Sequence, residues 1–100
     1  MDEMVQSDTL LLQQLRARHP LALEALYDRY AQTTYNLIWR MVDDPDLASE
    51  LLVETFWQAW NDAPWLSEHG PSCGSWIYQL ARQKSLQMIQ EKSFFTEQVN

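Results

Sequence analysis

Apolar residues recur every three or four positions along most of this chain and almost nowhere every two, which is the spacing of helices packed on one face. From Ser7 to Arg18, Leu11, Leu12 and Leu15 line one side of a helix, with Ser7 placed to cap it and Asp8 in its positively polarised first turn. Pro20 pushes His19 away from helical conformation and suits the opening of the next segment. From Leu21 to Val42 no glycine or proline intervenes, and Ala22, Leu26, Tyr30, Thr33, Leu37 and Met41 form a stripe that Leu23, Tyr27, Thr34 and Ile38 thicken. Such a helix is roughly 33 Å long.

Asp43-Asp44-Pro45-Asp46 reads as a turn and a helix start together. A third helix is expected from about Asp46 to Asn61, burying Ala48, Leu51, Leu52, Thr55, Phe56, Ala59 and Trp60. Ala63 to Gly74, with two prolines and two glycines, is expected to be a loop. Ser75 is placed to cap a fourth helix, Trp76 to about Lys92, with Trp76, Ile77, Leu80, Ala81 and Met88 apolar. No Asn-Gly or Asp-Gly turn and no alternating β-branched run is present. The fold class expected is therefore all-α: a compact bundle of about four helices, three of them long. At 100 residues and 46% hydrophobic, the chain has room for one domain, residues 1–100, with a core of its own.

Charge sharpens the picture. The net charge is −7, so a basic coat for nucleic acid is excluded. Between Met41 and Ala81 there is no Lys or Arg, but there are Asp43, Asp44, Asp46, Glu50, Glu54, Asp62 and Glu68. The third helix should present an acidic face, and the fourth should be mildly basic in its middle. That split points to two different partners, against the plainer reading of a solvated acidic surface.

Catalytic chemistry finds little support. The chain has no phosphate-binding glycine loop, no Gly-x-Ser-x-Gly and no His-Glu-x-x-His, so no enzymatic activity is expected. Glu68, His69 and Cys73 share one loop but fall short of a closed zinc site, and no cofactor is expected. One cysteine cannot form an internal disulfide, and Cys73 lacks the basic neighbourhood of a redox sensor. No apolar run is long enough for a membrane span, and Met1 to Asp8 carries acids without bases, unlike a leader peptide. A cytoplasmic location without membrane contact is the default expectation. Of the five tryptophans, Trp39, Trp60 and Trp76 fall on or beside apolar stripes and are expected in the core. Trp57 lies off its stripe and Trp65 lies in the loop, where an exposed ring can seat a partner or stack on a base.

Three segments carry a resemblance. His19-Pro20-Leu21-Ala22-Leu23-Glu24-Ala25-Leu26-Tyr27-Asp28-Arg29-Tyr30 resembles the opening of conserved region two of bacterial sigma factors of the extracytoplasmic-function group. Asp44-Pro45-Asp46-Leu47-Ala48-Ser49-Glu50-Leu51-Leu52-Val53-Glu54-Thr55-Phe56 is similar to that family's next helix, which reads roughly Asp-Ala-Glu-Asp-Leu-Val-Gln-Glu-Val-Phe. Ser75-Trp76-Ile77-Tyr78-Gln79-Leu80-Ala81-Arg82-Gln83 is similar to its Phe-x-x-Trp-Leu-x-x-Ile-Ala-Arg-Asn. Together they span about residues 10–92 in family order.

The resemblance implies a domain that holds core RNA polymerase and opens promoter DNA. Ser49, Glu50, Val53, Glu54 and Trp57 would meet the clamp of the largest polymerase subunit. The loop and the last helix would bind the single non-template strand of the minus-ten element, through Trp65, Ser75, Trp76, Tyr78, Gln79, Arg82, Gln83 and Lys84. An anti-sigma factor is a further partner that the resemblance implies. The family's second DNA-binding domain, a helix-turn-helix, is not among these 100 residues, which fits an excised domain or a standalone relative.

Departures from the family's pattern bear on strength of binding. Val53 stands where the family has Gln, Gln83 where it has Asn and Gln87 where it has Asp. Met88-Ile89-Gln90-Glu91-Lys92 stands where the family runs into arginines. Fewer phosphate contacts mean weak DNA binding by the domain alone. The alternative reading is a degenerate sigma-like domain acting only in protein–protein interaction.

Overall fold

A computed structural model describes residues 8–66 and 72–99, with side chains through Lys92. Four α-helices carry the described chain: α1 (Asp8–Arg16), α2 (Ala22–Val42), α3 (Pro45–Asp62) and α4 (Cys73–Val99), with a short 3₁₀ turn, Ala63–Trp65, after α3. The all-α expectation holds, and the three long helices pack mutually, each against the other two. Ser7, expected to cap α1, lies outside the described residues, as do residues 67–71 of the expected loop; the rest of that loop is the 3₁₀ turn Ala63–Trp65, Leu66, Ser72 and the start of α4.

Each junction has a local cause. The chain leaves α1 through Arg18 in the left-handed region, φ 61°, while the His19 N–H donates to the Gln14 carbonyl at 2.9 Å. The Arg18 guanidinium then lies 4.7 Å from the Trp60 ring centroid and donates to the Trp60 carbonyl, tying the end of α1 to the end of α3. His19 is exposed, and its Nδ1 accepts the Leu21 N–H at 3.3 Å. Asp43, φ 54°, closes α2 by donating its N–H to the Trp39 carbonyl. Asp44 Oδ1 accepts the N–H groups of Asp46 and Leu47 at 3.0 and 3.1 Å, so α3 begins at Pro45, with the proline where no N–H is needed. Two residues thus turn α2 back into an antiparallel α3.

α4 begins three residues earlier than the sequence reading placed it. Ser72, and not Ser75, is the cap: its Oγ accepts the Ser75 N–H at 3.3 Å. The early start buries Cys73 and brings Gly74 under Tyr30, where a Cβ would stand 3.3 Å from the phenol ring. α4 also runs past Lys92 to Val99, making it the longest helix at 27 residues.

The core is built from Leu11 and Leu15 of α1, Ala22, Leu26 and Ile38 of α2, the apolar face of α3, and Trp76, Ile77 and Ala81 of α4. Every α3 residue expected to be buried is buried, Trp60 partly. Three expectations on α2 need correction, one of them Tyr27, which is exposed. The buried stripe runs through Thr34 and Ile38, so Thr33 is exposed. Trp39 is 38% exposed and stacks on Tyr35, centroids 6.4 Å apart, instead of entering the core. α2 is flanked by α3 and α4, and the stripe points between them. Leu26 is fully buried at the centre of this packing, and Leu26→Ala is expected to lower unfolding free energy by about 2–5 kcal/mol in urea titrations, with little change in helical content.

A polar knot closes the end where α1, α2 and α4 meet. The Asp8 carboxylate accepts from Arg29 Nη1 at 2.6 Å and from the Tyr30 hydroxyl, and the Cys73 thiol points to the Asp8 carbonyl, 3.6 Å away. Burial, reinforced by the Asp8 carboxylate, raises the Tyr30 phenol above its ordinary range and pushes the Cys73 thiol from 9.0 up to about 11. Cys73 is therefore an inert packed thiol at neutral pH. Because the unfolded chain ionises this thiol first, stability present below pH 9 is lost as pH rises toward 11. The loss expected by pH of about 10.5 is about 2 kcal/mol, read from urea unfolding, with a shallower slope for Cys73→Ala.

Candidate nucleic-acid and polymerase interface

α3 turns its apolar stripe inward, which leaves Ser49, Glu50, Val53, Glu54 and Trp57 on the outer crest of the helix. At 100° per residue these five occupy one arc of about 140°. All five are exposed, Val53 at 64% and Trp57 at 61%. The acidic pair and the apolar pair thus share one surface.

Two grooves flank that crest. On the α2 side, Val53, Phe56 and Trp57 meet Pro20, Leu23 and Tyr27 around an apolar hollow of about 430 Å³. The Tyr27 ring stands edge-on to Phe56, centroids 5.1 Å apart, and forms its wall. The sequence reading did not find the α2 contribution. Tyr27 read as part of the core stripe, and only the packing of α2 on α3 leaves it 42% exposed beside Trp57. On the α4 side, Glu54 shares a narrow cleft of about 150 Å³ with Lys84, Gln87, Met88 and Glu91.

That second cleft decides what Lys84 does. Arg82 and Lys84 stand about 200° apart around α4. Lys84 is half-buried and lines the cleft toward α3 that Glu54 and Glu91 also line, whereas Arg82 faces α2. Ser75, Tyr78, Gln79 and Arg82 share one arc of α4, and Gln83 is exposed at its margin. Lys84 is not on this surface.

Trp76 is not on it either. It is 6% exposed and packs in the core, so it offers no stacking face to a base. Trp65, in contrast, is 85% exposed at the end of the 3₁₀ turn. Glu68 and His69 lie outside the described residues, and no group of three potential metal ligands occurs among the described ones.

The Tyr78–Gln79–Arg82 arc faces a cleft of about 450 Å³ whose opposite wall is Thr33, Asn36, Leu37 and Arg40 of α2. Arg40 was invisible as a site residue in the sequence, because it lies far from the α4 motif along the chain.

The model of the sigma-70 region 2 family matches residues 26–94, which takes in nearly all of α2, the whole of α3 and most of α4. The chain belongs to the sigma-70 region 2 family. Its relatives include the ECF RNA polymerase sigma factor SigK of Mycobacterium sp. strain KMS, 28% identical over 86 residues, covering 83% of this chain and 43% of the relative. The RNA polymerase sigma factor SigK of Mycobacterium sp. strain MCS matches to the same extent. This sigma domain therefore spans less than half the length of the curated relatives it matches. No solved structure matches it. Sigma factors are initiation factors and not enzymes, so the chemistry to be explained is binding. No described helix is long and apolar enough to cross a membrane.

Proposed function

We propose that this region-two domain serves an alternative sigma factor of the extracytoplasmic-function group. In this reading it docks on the clamp of core RNA polymerase through α3 and holds the single non-template strand of the minus-ten element beside α4. The observation that carries the reading is the separation of two exposed surfaces inside one family-matched bundle. One is the acidic and apolar crest of α3, Glu50, Val53, Glu54 and Trp57. The other is the cationic and aromatic arc of Tyr78, Gln79 and Arg82, with Trp65 exposed at the near end of the connection.

Their chemistry suits different partners. Glu50 and Glu54 complement a basic helix, and Val53 with Trp57 supplies the apolar centre that such a contact needs. Val53, where the family has Gln, exchanges a hydrogen bond for apolar contact and leaves the crest intact. Arg82 and the tyrosine supply phosphate attraction and a flat ring. The net charge of −7 opposes DNA, so polymerase would bring the strand to the domain and sequence-selective binding would appear only in the complex. A cytoplasmic location and control by an anti-sigma factor belong to the same reading. The test is capture of core RNA polymerase by the chain, followed by selection from a single-stranded minus-ten library with and without polymerase. Failure to capture polymerase would overturn it. Capture without DNA selection would favour a protein-only module.

A further inference from the structure

Tyr78 faces the α2–α4 cleft with only packing to orient its ring. Its hydroxyl makes no hydrogen bond among the described residues. The ring of Tyr30 stands edge-on to it, centroids 6.1 Å apart and planes at 86°. An edge-on pair sets the electropositive rim of one ring against the electronegative face of the other, so it holds an angle as well as a distance. Where the Tyr78 ring points therefore depends on where Tyr30 is held.

Tyr30 is held from two further sides. Gly74, at the start of α4, leaves room for its ring, since a Cβ there would stand 3.3 Å away. The Tyr30 hydroxyl donates to Asp8 Oδ2, while Arg29 Nη1 donates to Asp8 Oδ1 at 2.6 Å, so two groups orient one carboxylate. Burial and that carboxylate raise the phenol far above neutral pH, which keeps the donor in place. Asp8 is the first residue of α1, which Leu11 and Leu15 fix in the core. A chain of contacts thus runs from α1 through Tyr30 to a ring in the cleft. Packing alone does not require it: a phenylalanine at position 30 would fill nearly the same volume and need no carboxylate.

We propose that Asp8 and Tyr30 are positioning residues for Tyr78, holding its ring in place for an unpaired base and making strand binding depend on α1. The strand as ligand rests on the reading under Proposed function; the linkage to α1 goes beyond it. A ring ordered before binding loses less freedom on contact, a gain of about three- to tenfold in affinity.

The test takes two readouts on the 100-residue chain. One is the Tyr78 ring signals by NMR without ligand. The other is affinity for a short oligothymidine strand at about 20 mM salt, where phosphate contacts are strongest. Tyr30→Phe and Asp8→Ala are each expected to shift the Tyr78 signals and to weaken binding about threefold. Asp8→Ala is the sharper variant. It removes an acid from a chain of net charge −7 and frees Arg29, so charge alone would tighten DNA binding. In a Tyr78→Ala background neither substitution should weaken binding further, because the ring they position is gone. Leu51→Ala, which loosens the core from α3, should leave the affinity of the folded chain within about twofold. Unchanged Tyr78 signals in the folded variants overturn the proposal. So does wild-type or tighter binding by either one, an equal loss with and without Tyr78, or an equal loss in Leu51→Ala. A wild-type chain that binds no strand sinks the DNA reading, and the Tyr78 signals then still judge the linkage to α1.

Discussion

Reversing Glu50 and Glu54 to Lys together is expected to abolish capture of core RNA polymerase, with a loss of at least about 100-fold in affinity. Both carboxylates are exposed on the crest of α3, one turn apart, so the reversal changes the sign of the surface without touching the core. Helical content by circular dichroism should be unchanged. One neighbour needs control. Glu54 shares its cleft with Lys84, and a lysine there places two cations together. Glu54→Gln combined with Glu50→Lys avoids that repulsion and should still lose most of the affinity. Trp57→Ala tests the apolar half of the crest and should cost a further tenfold or so, since it removes a large exposed ring that a partner would bury. Val53→Gln should keep or improve affinity if the family's docking mode is shared. Capture at wild-type strength by the folded double reversal would move the polymerase surface elsewhere.

The second large effect is expected from Arg82. Arg82→Ala in the full-length parent should reduce initiation from a matched promoter about ten- to a hundredfold, because it removes a charge-assisted phosphate contact in a site poor in cations. Lys84→Ala should initiate within about threefold of wild type. From the sequence the two residues are equivalent candidates, and the tertiary structure separates them. Arg82 faces the open α2–α4 cleft, whereas Lys84 lines the cleft on the α3 side together with Glu54 and Glu91. Lys84→Ala should change stability by no more than about 0.5 kcal/mol, the range of a substitution that removes no buried contact or ion pair. Promoter initiation unaffected by either substitution would remove the proposed DNA surface. A large initiation defect from Lys84→Ala alone would reverse the assignment of the two cations.

What the sequence determined by itself is what the period of a single helix determines. Uninterrupted apolar spacing and the Asp43-Asp44-Pro45-Asp46 turn located α2 and α3 to within a residue at each end, because propensity, capping and proline stereochemistry all act within a few residues. The buried face of α3 was legible because Ala48, Leu51, Leu52, Thr55, Phe56 and Ala59 form one clean stripe. The exposed crest follows as its complement. The three family-like segments were also readable directly, being contiguous.

Only the tertiary structure decided what lies opposite what. On α2, both Thr33 and Thr34 fit a helical stripe, and the choice between them depends on how α3 and α4 flank the helix. The same geometry puts Trp39 on Tyr35 and turns Tyr27 toward Trp57. Ser72 and Ser75 are equally good caps in isolation. Burial of Cys73 and the close approach of Tyr30 to Gly74 accompany the earlier one. Arg40 and Arg82 line one cleft from two packed helices, and no local pattern connects them. A helix's own periodicity states which side turns inward, but the neighbour that a half-exposed side chain faces depends on the position and angle of other helices. That is a property of packing between distant parts of the chain, and it is where the clefts of this domain arise.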